Sequence, residues 1–125
     1  MIGQWGRHRM EIRLRPSLFQ SACSSAQFLI PGYRFVPWRD ELVPHHADVK
    51  YRSFREEIDS QVFPCLGELP GCYRLMEDIS VKLGFAPTAT WLAAYAARPG
   101  AELEFCGTVQ GIASDHTVGG IQNLG

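Results

Sequence analysis

The sequence predicts a mixed α/β chain of the α+β class, an antiparallel strand meander packed on two helices, and three observations carry that prediction. An aromatic and β-branched run, GYRFVPWRD (32–40), comes first. Two segments with apolar residues at helical spacing follow, at 44–58 and 70–83. Then TATWLAAYAA (88–97) and ELEFCGTVQGIA (102–113) flank a Pro99-Gly100 turn, and GGIQNLG (119–125) follows a second turn.

In the first strand, Tyr33, Phe35, Val36 and Trp38 are residues that suit a pleated surface, and Asp40 is placed to cap what comes next. Pro44 suits a first helical turn. Ala47, Tyr51, Phe54 and Ile58 then recur at spacings of four, three and four, while Lys50, Arg52, Glu56 and Glu57 fall mostly elsewhere on the helix. The loop at 62–71 holds two prolines and two glycines. The second helix opens at Pro70, carries the stripe Cys72, Leu75, Met76, Ile79 and Leu83, and has Gly84 where a left-handed cap would sit. TWLAAYAA is alanine-rich enough to be helical, but eight residues between a proline and a turn favour a strand. Ser114, Asp115, His116 and Thr117 make the turn into the final strand, 118–124.

Residues 1–32 read as an N-terminal extension and linker: a basic start, a short alternating run MEIRLR (10–15) as one possible strand, the Ser-rich QSACSSAQ (20–27) as a mobile link, and a Pro31-Gly32 break. Met10 is an alternative start. Among 125 residues, 12 Lys and Arg against 13 Asp and Glu give a net charge of −1, which leaves no field to recruit nucleic acid or an anionic membrane. The apolar runs are far short of the roughly 20 residues of a membrane helix. Four scattered cysteines (Cys23, Cys65, Cys72, Cys106) without a framework spacing, and no secretory signal, predict a soluble, cytoplasmic protein with reduced thiols.

The order strand, helix, helix, strand, strand, strand resembles the N-terminal half of the GNAT N-acetyltransferase superfamily, a partial acyl-CoA N-acyltransferase fold. The residues carrying the likeness are GYRFVPW, the two helical segments, CGTVQGIA and GGIQNLG, over about 33–125. The resemblance implies acetyl transfer from acetyl-CoA, the cosubstrate, to an amine acceptor. It places the backbone N–H of Leu124 toward the acetyl carbonyl, with Asn123 and Gly125 beside the pantetheine arm, and puts Tyr51, Arg55, Glu56 and Asp59 on the acceptor side. Those four residues by themselves read first as a solvated helix face, where charged neighbours at this spacing are ordinary. In the family the fourth strand leads into an R/Q-x-x-G-x-G/A loop that binds the cofactor pyrophosphate; that motif is not among these residues, so the expectation is an incomplete and inactive fragment. Gln122 and Asn123 stand where several members carry a basic carboxylate, which leaves catalytic residues unassigned. The alternative is a non-catalytic interaction module that associates, with itself or a partner chain, through an open sheet edge.

Other constellations favour plain structural roles. His45 and His46 are neighbours that point about 100° apart on a helix, so they predict surface histidines of a first turn and not a metal pair. Cys65 and Cys72 read as loop and core packing. Nothing near Cys106 or His116 lowers a thiol pKa, and Asp115 and His116 read as turn residues. Trp38 and Trp91 read as core and sheet residues. No metal site is predicted.

Overall fold

A computed structural model describes residues 9–15, 30–122, 124 and 125. The chain divides into two units, Met1–Pro31 and Gly32–Gly125. In the first, residues 10–15 form no strand, and Met10, Ile12 and Leu14 are exposed beside an Arg9–Glu11 ion pair. With no partner strand in the unit's described residues, alternation alone does not make a strand there. The proposed link at 20–27 lies outside the described residues.

The second unit runs β1 (Tyr33–Pro37), a 3-10 turn (Asp40–Leu42), α1 (Val43–Phe54), α2 (Ile58–Val62), a 3-10 turn (Pro64–Gly67), α3 (Leu69–Ser80), β2 (Phe85–Tyr95), β3 (Glu104–Ala113) and β4 (Gly119–Gln122). The four strands form one antiparallel sheet in the order β1-β2-β3-β4. Of TWLAAYAA, Thr90 to Tyr95 lie in β2, and the turn to β3 closes with Ala101 N–H donating to the Arg98 carbonyl at 3.0 Å. Proline at the second position and Gly100 at φ +82° at the third make it a type II turn. Asp115 organises the next turn, its Oδ1 accepting from the Thr117 and Val118 N–H groups at 2.6 and 2.9 Å.

α1 and α3 join at a core of Val43, Ala47, Leu66, Cys72, Met76 and Ile79, with Tyr51, Phe54 and Leu75 packed around it. Leu42, Val49 and Leu92 form a second cluster. Three details differ from the sequence reading. The helix expected over 44–58 stops at Phe54 and restarts at Ile58; the Ser60 hydroxyl donates to the carbonyls of Arg55 and Glu57 and satisfies the broken ends. Ile58 is therefore on the surface. Asp40 is inside the 3-10 turn, not a cap, and its carboxylate accepts from Trp38 Nε1 at 3.1 Å. α3 ends at Ser80, so Leu83 is 97% exposed. Gly84, at φ +91°, serves strand entry: its carbonyl accepts from Ala113 N–H at 2.7 Å, and a Cβ there would meet the Ala113 carbonyl oxygen at 2.1 Å. Among the described residues no helix is long and apolar enough to cross a membrane.

Candidate functional site

The β3–β4 ladder changes register near its end. Gln110 pairs with Gln122, and beyond it Thr108 and Gly125 exchange two backbone hydrogen bonds, Thr108 N–H to Gly125 O at 2.8 Å and Gly125 N–H to Thr108 O at 3.1 Å. From the first pair to the second, β3 advances by two residues and its partner by three. One extra residue therefore stands between Gln122 and Gly125, the two-against-one count of a β-bulge, in which a backbone group is left out of the ladder. Leu124, inside this step, is 70% exposed.

Helix α1 comes to the same place. A Cβ on Gly125 would lie 2.8 Å from the Phe54 ring and 3.0 Å from Ser53 Cβ, so the close approach of this strand to the last turn of α1 requires glycine. Gly107 is similarly tight, 3.0 Å from Ala93 Cβ and 3.6 Å from Gly125 O. Of the residues singled out from the sequence, Gly125 thus meets the end of the helix that carries Tyr51, and Asn123 lies outside the described residues. Tyr51 is half-buried against the core, with the Arg55 guanidinium 5.4 Å from its ring centroid. Glu56 is exposed in the break after α1, and Asp59 sits one helix further on, in the first turn of α2.

Beneath the bulge is a polar cluster that sequence reasoning missed. His46 and Lys50 of α1 and Thr108 and Gln110 of β3 are all buried, His46 and Lys50 at 0% exposure. His46 is no surface histidine, and Lys50 does not face solvent. Leu42, Val43, His46, Ala47, Val49 and Lys50 are all buried, so the buried face of α1 is wider than the stripe of apolar residues. Lys50 Nζ donates to Gln110 Oε1, Gln110 Nε2 donates to Thr108 Oγ1 at 2.7 Å, and Thr108 Oγ1 is 2.7 Å from His46 Nδ1. His46 Nε2 has no hydrogen-bond partner among the described residues. The Trp38 ring lies against the imidazole, centroids 5.1 Å apart.

Burial, with the Lys50 and His45 charges beside it, lowers the His46 pKa to about 4. Burial also lowers Lys50 to about 7, against a small opposing pull from Cys72 and Cys65. The Cys72 thiol is pushed up by burial and donates toward the Cys65 carbonyl at 3.4 Å. Among the described residues no group of three or more His, Cys, Asp or Glu side chains could hold a metal ion.

A usable signal for the cluster existed in His46-x-x-x-Lys50 at one-turn spacing and in Thr108-x-Gln110 at strand alternation. Comparison with protein-family models, with curated proteins and with solved structures gives no match.

Proposed function

We propose that residues 33–125 are the N-terminal half of a GNAT-like N-acyltransferase domain and that the β4 bulge is where an acyl thioester and an amine acceptor meet. The observation that carries this reading is the two-against-three register between Gln110↔Gln122 and Thr108–Gly125, set against the last turn of α1. A backbone N–H left out of the ladder at the step between Gln122 and Gly125 would be a preorganised donor for a carbonyl oxygen that gains negative charge as an amine attacks it. Gly125 is closed off on the helix side by Phe54 and Ser53, so a pantetheine arm would run along the open side of the strand, where the exposed Leu124 gives it an apolar contact. Tyr51 and Arg55, with Glu56 and Asp59 beyond, form the acceptor side, their carboxylates suited to a cationic amine.

Acetyl-CoA would supply the thioester: the amine nitrogen bonds to the acyl carbon, the carbon–sulfur bond breaks, and the thiolate takes up a proton. These residues fit its acyl end. They do not fit its pyrophosphate, because the helix at Gly125 presents its C-terminal end, whose carbonyl partial charges disfavour an anion. A few hydrogen bonds, each worth about 1 kcal/mol net, do not offset the immobilisation of so long a cosubstrate. The 125-residue chain should therefore bind acetyl-CoA only above about 1 mM and transfer no acetyl group. The cytoplasm, where thiols stay reduced, is the compartment that suits this chemistry.

The test is an amide NMR titration with acetyl-CoA and with a short acetyl thioester lacking the nucleotide. Both ligands should shift Leu124, Gly125 and the Tyr51–Asp59 region, weakly and similarly. Shifts confined to other parts of the sheet would overturn the assignment, and saturable micromolar binding or thiol release with amines would overturn the account of the missing anion site.

A second reading, association through the sheet edge, is favoured by the composition of β4. Val118 and Ile121 are 51% and 73% exposed, and no charged residue or proline occurs from 117 to 125, whereas β1 at the other edge carries Arg34 and Pro37. Light scattering over a concentration series distinguishes the two: a monomer at all concentrations removes this reading and leaves the first intact.

A further inference from the structure

We infer that Thr108 and Gln110, held from the helix side by His46 and Lys50, are positioning residues for the β4 bulge. The inference rests on the reading of that bulge as the acyl site. Thr108 and Gln110 are the residues on either side of the register step: the backbone of one pairs with Gly125 and that of the other with Gln122. The same two residues send their side chains into α1, Thr108 to His46 Nδ1 and Gln110 to Lys50 Nζ, and join each other through Gln110 Nε2. Each β3 residue that flanks the bulge is thus fixed on both sides, by β4 through its backbone and by the helix through its side chain.

The chemistry explains why these positions are polar. The extra residue stands on the β4 side, so what the two polar side chains fix is β3 itself. Apolar side chains at 108 and 110 would leave the height and rotation of β3 against α1 loosely set, because apolar contact is non-directional. Hydrogen bonds to a lysine and a histidine one helical turn apart set both, and with them the backbone groups of Thr108 and Gln110 on which the two sides of the step pair. Lys50 is the anchor of the set. It faces Gln110 on β3, His46 one turn earlier on its own helix, and the thiols of Cys72 on α3 and Cys65 in the preceding turn, while His45, which also bears on His46, is exposed against Phe105. Among the described residues no carboxylate forms an ion pair with it, and burial brings its pKa down to about 7, which makes the clamp readable by pH.

The experiment is hydrogen exchange by NMR on the full chain, which needs no acyl donor. Its reporters are the amides of Thr108 and Gly125, bonded across the step. Ala113, on the same strand and bonded to Gly84 O, and Ala96, bonded to Gly32 O, are controls. In Lys50→Met and in Thr108→Val, exchange at the two reporters should rise about tenfold or more while the controls stay unchanged, and Thr108→Ser should restore it. In the unaltered chain the Gly125 and Thr108 nitrogen shifts should step with a midpoint near 7, and Lys50→Met should abolish the step. Equal acceleration at reporters and controls, or none, would overturn the inference. If Lys50→Met fails to fold, the Thr108 pair and the absence or presence of the titration step decide it. A failed acyl-donor titration with this exchange pattern intact would sink the acyltransferase reading and keep the clamp.

Discussion

One face of the sheet meets the helices in two ways. Along β2 the inward Leu92 and Ala94 are apolar, Leu92 packing with Leu42 and Val49, and the buried Thr90 satisfies its hydroxyl on the Ala86 carbonyl of its own strand without reaching the helices. Along β3, one strand over, the inward residues are Thr108 and Gln110, joined to His46 and Lys50. Both stretches are buried, yet only the first gains by excluding water from hydrocarbon. The second must recover the desolvation of an amine, an imidazole and an amide through a few directed bonds, and one imidazole nitrogen stays unpaired. The apolar stretch should set how stable the unit is, and the polar one where β3 stands. The costlier construction lies under the β4 bulge.

If that division holds, the largest effect comes from the apolar side. Met76→Ala removes a fully buried side chain from the α1–α3 core and should lower stability by about 2–5 kcal/mol, equally at pH 6 and pH 8. Denaturant unfolding at the two pH values checks both the size and the flatness.

The polar side should respond to pH instead. The folded pKa of His46, about 4, lies below its ordinary 6.5, so the fold binds this proton less well than the unfolded chain does. Its contribution is complete above pH 6.5 and is lost as pH falls to about 4, roughly 3 kcal/mol over the whole window. Unfolding of His46→Gln beside the unaltered chain isolates this from the carboxylates; parallel acid profiles would contradict the burial of a neutral imidazole.

Lys50 has the same sign in a higher window. Its folded pKa of about 7 is below 10.5, so stability rises with pH above 7, by about 2 kcal/mol up to pH 8.5. Lys50→Met should flatten that rise. A rise of equal slope in the variant would place the titrating group elsewhere.

Much of this unit is legible in its sequence, and the exceptions share a physical cause. The strands around Pro99-Gly100 and Asp115 follow from turn chemistry, and Ala47, Cys72, Met76 and Ile79 from helical spacing, because each rests on a local rule. Leu83 and Ile58 extend the apolar spacing past the helix ends, which Ser80 and Ser60 fix through hydroxyl-to-carbonyl bonds that periodicity does not register. His46 and Lys50 were hidden because residue type argues for solvent, while their partners lie 62 and 60 residues away. The register step at Leu124 is a relation between two strands and leaves no mark in either one alone.

The smallest effect belongs to the exposed counterpart of the buried cluster, the Asp115 turn. Its carboxylate is held below the usual range by the Thr117 backbone N–H first, then by the Thr117 hydroxyl, and by the Val118 N–H, against a slight opposing desolvation at this exposed site. A lowered carboxylate pKa means that the contribution is present above the ordinary value of 3.8 and is lost only as pH falls below it. At neutral pH, Asp115→Asn keeps an oxygen that can accept from the same N–H groups, so global stability should hardly change. The local signature is sharper: exchange at the Thr117 and Val118 amides should quicken in Asp115→Ala and stay near the original rate in Asp115→Asn, with Thr108 and Gly125 unaffected in both. Should either Asp115 variant loosen Thr108 or Gly125, the turn and the bulge on β4 would be coupled, and the division between a stabilising and a positioning region would have to include this surface turn.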